Sequence, residues 1–199
     1  MENSKTFTIF AGINGAGKST LYYTLGPDNF GVRLNTDEIV KENGKDWRDA
    51  AAQFEAAKIL FEKQKECFEE GISLNRETTL AGYNIIKTIR EAKSLSYKIN
   101  LIYIGVNDLS LAKKRVNERV SKGGHGVSEK VMDVRFSHMM DNLIKIFPEC
   151  DKVQLFDNSE NGFNLAGYKF NNEIVKIKDC KWLNNIINEL DQNKSMQQY

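Results

Sequence analysis

The run Gly12-Ile-Asn-Gly-Ala-Gly-Lys18-Ser19-Thr20 has the residue types and spacing to hold a chain of phosphates. Gly12, Gly17, Lys18 and Ser19 satisfy the pattern G-x-x-x-x-G-K-[ST]. Glycines let such a backbone curl until the N–H groups of Asn14, Gly15, Ala16, Gly17 and Thr20 turn toward phosphate oxygens. A helix that follows adds the positive end of its dipole. Lys18 then reaches the β- and γ-phosphates, and the Ser19 hydroxyl can hold Mg²⁺. A chance match somewhere in a chain this long has odds on the order of one per cent. The β-like run before it and the helical run after it lower them further. No N-K-x-D base reader is present, which favours ATP over GTP. The chemistry implied is phosphoryl transfer from ATP.

Two acids stand where an acceptor would meet that nucleotide. Asn35-Thr36-Asp37-Glu38 ends a short second strand, and Asp37 is placed to take the proton of an attacking hydroxyl. Thr36 or Asp37 could equally cap the helix that starts there. Asn75-Arg76-Glu77-Thr78-Thr79 ends a third strand. Glu77 can bind Mg²⁺ through water or contact the acceptor, and Thr78 and Thr79 offer hydroxyls. Arg115 and Arg119 share a helix face, and Arg135 lies beyond the break SKGGHG. Arg119 and Arg135 are candidates to stabilise charge on the transferred group from a closing lid. His125, in the break, reads equally as a contact residue or an exposed loop histidine, while His138 reads as packing. Asn158 follows a fifth strand, near an expected adenine edge or as part of a plain Asx turn.

The elements that must position these residues alternate. Strands are expected at Thr6 to Ala11, Gly31 to Asn35, Ile72 to Arg76, Ile99 to Val106 and Val153 to Phe156. Helices are expected at Lys18 to Leu25, Trp47 to Glu70, Tyr83 to Ser94, Leu109 to Val120, Glu129 to Phe147 and Trp182 to Leu190. In the long second helix, Phe54, Ala57, Phe61 and Phe68 fall at the spacing of one face. Leu165 to Ile177 reads as a hairpin turning at Asn171-Asn172. The fold class is α/β of the P-loop NTPase type. It has a five-stranded parallel sheet flanked by helices, a helical lid over 108–147, and a C-terminal β-hairpin plus helix. The whole chain, 1–199, reads as one domain with a polar, frayed tail over 191–199. The ligand crevice belongs at the C-terminal strand ends.

Composition sets limits. The net charge is +1 and no dense basic tract occurs, which argues against nucleic acid as a partner. No apolar run is long enough to cross a membrane, and the N-terminus lacks a signal-peptide pattern. Cys67, Cys150 and Cys180 are widely spaced and odd in number, as expected of reduced structural thiols in a cytoplasmic protein.

The segments GINGAGKST, NTDEI, ETT, RVNERVSKGGHGV, RFSHMMDNL and FDNS, in that order, resemble the zeta toxin family of P-loop kinases, in its compact branch with a glycine-histidine lid. The resemblance spans about residues 6 to 158. It implies an ATP-dependent kinase acting on a hydroxyl of a UDP-activated amino sugar, typically UDP-N-acetylglucosamine. It places the family lysine on Lys18, the base on Asp37, the acceptor-contacting acid on Glu77 and the phosphate-binding arginines on Arg119 and Arg135. The arginine spacing departs from the founding toxins because the glycine-histidine segment intervenes. An inhibitory antitoxin is a possible partner. The rival expectations are a kinase of another small molecule or nucleoside, and a nucleotide-binding switch without acceptor chemistry.

Overall fold

The computed structural model describes residues 4–160 and 162–196. Its strands are β1 (Thr6–Ala11), β2 (Val32–Leu34), β3 (Leu74–Thr78), β4 (Lys98–Gly105), β5 (Lys152–Asp157), β6 (Asn164–Phe170) and β7 (Glu173–Lys176). Its helices are α1 (Lys18–Thr24), α2 (Thr36–Glu42), α3 (Ala50–Glu70), α4 (Asn84–Ser94), α5 (Leu109–Ser121), α6 (Glu129–Ile146) and α7 (Lys181–Met196). One sheet runs β2-β3-β1-β4-β5-β6-β7. The first five strands are parallel, as expected. The C-terminal hairpin is not separate from them. β6 joins β5 antiparallel and extends the sheet to seven strands, because β5 would otherwise expose an unpaired edge. The hairpin turns at Asn171 and Asn172, with φ of 48° and 63°, the left-handed values a two-residue turn requires.

β1 lies between β3 and β4, so the chain leaves it toward β2 on one side and later crosses it from β3 to β4 on the other. This is the topological switch that opens a crevice at the C-terminal strand ends. β1 is buried along nearly its whole length, as an apolar run covered on both faces must be. Phe10 packs edge-on against Tyr22 of α1 on one face, and Phe7 against Phe68 of α3 on the other. Each such buried aromatic contributes roughly 1.5–3 kcal/mol through burial.

Three expectations are corrected. The inward face of α3 is Ala52, Ala56, Leu60, Gln64, Cys67 and Phe68, whereas Phe54 and Phe61 point outward. Two stripes of helical period exist on α3, and the small residues of the first permit close approach to α2 and the sheet. His138 is exposed, because its neighbour Met139 takes the buried position on α6. α7 continues through Met196, so most of the expected tail is helical; 197–199 lie outside the described residues. The three cysteines are free and buried. No described helix is long and apolar enough to cross a membrane.

Candidate functional site

The loop between β1 and α1 closes on tight contacts that glycine alone permits. Gly12, Gly15 and Gly17 have φ of 143°, 82° and 99°. A Cβ on Gly12 would stand 2.4 Å from Ile104 O, and one on Gly15 2.3 Å from Ala112 O. These backbones must approach each other for the loop to sit above β4 and α5. Distant segments then clamp it. Asn158 Nδ2 donates to Ala16 O at 2.8 Å, and Arg115 donates to Asn158 O at 2.9 Å. From α6, Arg135 donates to Asn14 Oδ1 at 2.9 Å.

Lys18 is buried at the start of α1, where its Nζ donates to Ile13 O at 3.2 Å and lies 3.7 Å from Glu77 Oε1. Burial draws its ammonium below the ordinary value. Glu77 and Asp37 oppose that fall, and Arg119 and Arg135 add to it. A bound polyphosphate would supply the negative charge that this buried cation needs.

Glu77 is a hub. Its Oε2 accepts from Ser19 Oγ at 2.7 Å, Arg33 at 2.8 Å and Asn35 Nδ2 at 3.0 Å. Burial pushes the carboxyl upward, but Lys18, Ser19 and Arg33 outweigh it and hold it below the ordinary carboxylate range. Arg33 also grips Glu38, donates to Asn75 Oδ1 and lies over the Tyr22 ring at 3.9 Å. Parallel register explains the grouping. Arg33 pairs with Asn75 across β2 and β3, and side chains two apart on β3 share a face, so Arg33, Asn75 and Glu77 converge beneath α1.

Asp37 is different. Asn35, not Thr36 or Asp37, caps α2 by accepting from the Asp37 N–H at 2.9 Å. The Asp37 carboxylate is therefore free of the capping duty. It is half-exposed, and His125 Nε2 lies 3.3 Å from its Oδ1. His125 in turn packs tilted against Trp47, with ring centroids 4.9 Å apart.

Two clefts of about 640 Å³ each open here. The first is lined by Asn14, Gly15, Gly17, Lys18, Ser19, Thr20, Glu77, Arg115, Arg119 and Asn158, with Glu160 and Phe163 at its rim. The second is lined by Asn35, Glu38, Lys41, Lys45, Trp47, Lys122 and His125. Ser19, Asp37 and Arg119 line both, so the clefts meet at those three side chains.

The structure thus gathers the glycine loop, Lys18, Ser19, Thr20, Asp37, Glu77, Arg119 and Asn158 around one junction. Arg135 reaches the same loop through Asn14. Thr78 is not brought in: it lines neither cleft, and its hydroxyl accepts from Leu80 N–H at 3.0 Å in a local turn. Asp157 is structural, accepting from Trp182, Ser159 and Lys178. Sequence patterns missed Arg33, Trp47 and Phe163, and left His125 undecided. The polar Arg33 within an otherwise apolar short strand was the available signal.

The residues fit Mg²⁺. Among the described residues no cluster of three His, Cys, Asp or Glu side chains could hold a metal by itself. Ser19 and Glu77 instead place two oxygen groups in the nucleotide cleft. That is the donor set of an ion that takes few protein ligands and completes its shell with phosphate and water.

Comparison with known proteins agrees with this architecture. An uncharacterized protein of Haemophilus influenzae is 29% identical over 137 residues, covering 68% of this chain and 94% of that one. In the PezAT chromosomal toxin–antitoxin system of Streptococcus pneumoniae, a chain superposes with a TM-score of 0.62 at 18% identity, over 78% of this chain and 68% of its own length. A chain of the AvrRxo1-ORF1:ORF2 complex with ATP superposes with a TM-score of 0.68 at 18% identity, over 92% of this chain. This chain spans 63% of that longer one. The zeta toxin sequence profile matches residues 2–164. With the phosphate loop, the acids and the glycine-histidine loop in one site, the chain belongs to the zeta toxin family.

Proposed function

We propose that this protein transfers the γ-phosphoryl group of ATP to a hydroxyl of a small anionic acceptor, of which a UDP-activated amino sugar such as UDP-N-acetylglucosamine is the leading candidate. Nucleotide-dependent phosphoryl transfer belongs to its family and fold. The observation that carries the fuller reading is the meeting of two clefts at Ser19, Asp37 and Arg119. The glycine loop and Lys18 hold the phosphate chain on one side. On the other, Asp37 receives the acceptor's proton as its oxygen bonds the γ-phosphorus. The bond from that phosphorus to the bridging oxygen breaks, and its electron pair leaves with ADP. Lys18 and Arg119 stabilise the charge spread over the transferred group, and Arg135 holds the loop through Asn14. Ser19 would hold Mg²⁺ with its hydroxyl and Glu77 through a bridging water, and the ion would neutralise charge on the phosphate oxygens.

The second cleft supports an anionic acceptor. Lys41, Lys45, Lys122 and Arg119 outnumber Asp37 and Glu38 along its walls, and Trp47 offers an aromatic face. A nucleoside diphosphate sugar carries both matching features. An antitoxin partner is supported by kinship, since the similar S. pneumoniae chain comes from a toxin–antitoxin system. ATP as donor and a cytoplasmic setting accord with the same kinship. Incubation with labelled ATP and a panel of UDP-sugars, wild type beside Asp37→Asn, tests the reading. A phosphorylated sugar nucleotide formed by wild type and lost in the variant is expected. ATP hydrolysis that persists unchanged in the variant, with no phosphorylated acceptor from either protein, would overturn it.

A further inference from the structure

We propose that His125 is a positioning residue for Asp37: the glycine loop between α5 and α6 holds its imidazole edge against one carboxylate oxygen and leaves the other free for the acceptor hydroxyl. This rests on Asp37 being the base. Among the described residues, His125 is the one side chain at hydrogen-bonding or ion-pairing distance from the Asp37 carboxylate.

The loop is built to make that contact. Gly123, with φ of 81°, ends α5 in a left-handed cap; its N–H donates to Val120 O, and the Gly124 N–H donates to Arg119 O, each at 2.9 Å. A Cβ on Gly124 would stand 2.7 Å from Arg119 Cγ, and one on Gly126 2.6 Å from Val120 Cγ2 and 2.7 Å from Trp47 Cη2. The glycines on either side of His125 are therefore packing requirements, not a flexible break. They press the loop between the end of α5 and Trp47, and the imidazole lies tilted by 45° against the Trp47 ring, with its Nε2 3.3 Å from Asp37 Oδ1. The same turn carries Arg119, so base and phosphate-facing arginine are set by one piece of backbone.

The surrounding charges favour a neutral imidazole. Asp37 on α2, Arg119 on α5 and Arg135 on α6 face His125, and the segment before α3 contributes the uncharged Trp47. Burial lowers the imidazole below its ordinary value, Arg119 and Arg135 add to that, and Asp37 alone opposes. A neutral imidazole 3.3 Å from Asp37 Oδ1 can orient Asp37 without competing for its negative charge as a cation would. The hydroxyl proton goes to the free oxygen of Asp37, and His125 keeps its own.

The test compares His125→Ala, His125→Gln and Asp37→Asn, using ATP with UDP-N-acetylglucosamine, and with water as acceptor in a parallel hydrolysis assay. We expect His125→Ala to lower kcat about 10- to 100-fold with the ATP KM within about twofold. His125→Gln, which keeps an N–H at similar reach, should recover most of the rate. Imidazole titration by NMR should give a lower His125 pKa in Asp37→Asn than in wild type. Equal losses in both His125 variants, or a His125 titration indifferent to Asp37→Asn, would overturn the proposal. If Asp37→Asn itself leaves both transfer and hydrolysis intact, the base assignment fails first. Loss in Asp37→Asn with full rate in His125→Ala removes the proposal alone.

Discussion

Glu77, near the end of β3, and Asp37, just beyond β2, are neighbouring acids in opposite surroundings. Glu77 is 15% exposed and takes Ser19, Arg33 and Asn35 on one oxygen, with Lys18 beside the other. Asp37 is 42% exposed and meets only His125 among the described side chains. A carboxylate saturated with donors is held ionised and cannot readily accept a further proton. One with a free oxygen, facing both clefts, can. Position after a strand therefore does not make an acid a base; the number of donors already bound to it decides.

Exchanging the two acids' charges one at a time separates these roles. Asp37→Asn should lower kcat by about 10²- to 10⁴-fold, with the ATP KM little changed. Its melting temperature should stay within a few degrees, as for a half-exposed side chain. Steady-state kinetics beside a thermal melt measures both. Glu77→Gln should do the reverse in stability. It leaves Lys18 and Arg33 facing a neutral amide, at a cost of about 3 kcal/mol, or a fall in Tm on the order of 10 °C. If Asp37→Asn destabilised more than Glu77→Gln, the assignment of roles would be wrong.

The same contrast extends to pH. Glu77 is depressed in the folded state, so its contribution is present above the unfolded carboxylate pKa and is lost as pH falls through the folded value. The Tm difference between wild type and Glu77→Gln should be flat from pH 6 to pH 8 and shrink below about pH 4. A difference that grew on acidification would contradict the charge network. The smallest effect belongs to the wall beside Asp37. Gly126→Ala should displace Trp47 and raise the acceptor KM about threefold to tenfold, with the ATP KM unaltered.

Much of the nucleotide side was legible before folding was considered. A phosphate loop is a local motif, in which nine consecutive residues carry donors, curvature and cation together. The Asn171-Asn172 turn was legible for the same reason, since left-handed backbone is a property of single residues. The acceptor side was not. The aromatic spacing on α3 pointed to Phe54 and Phe61 as core, but either of two helical stripes could have faced inward. Thr78 followed Glu77 in sequence, yet its hydroxyl is spent on the Leu80 turn. Arg33 lay unnoticed because its partners Asn75 and Glu77 are 42 and 44 residues away.

From the amino-acid order alone came the α/β alternation, the phosphate loop, the two candidate acids and the candidate arginines beside the glycine break, all carried by short-range pattern. Tertiary structure decided which acid is spent and which is free. It also turned a glycine-rich break into a packed loop that sets His125 against Asp37 and Trp47. The physical reason is the same in each case. Backbone curvature and helical or strand period are encoded by neighbours in the chain, whereas the donors around a carboxylate and the walls of a cleft come from strand register and helix docking between distant segments.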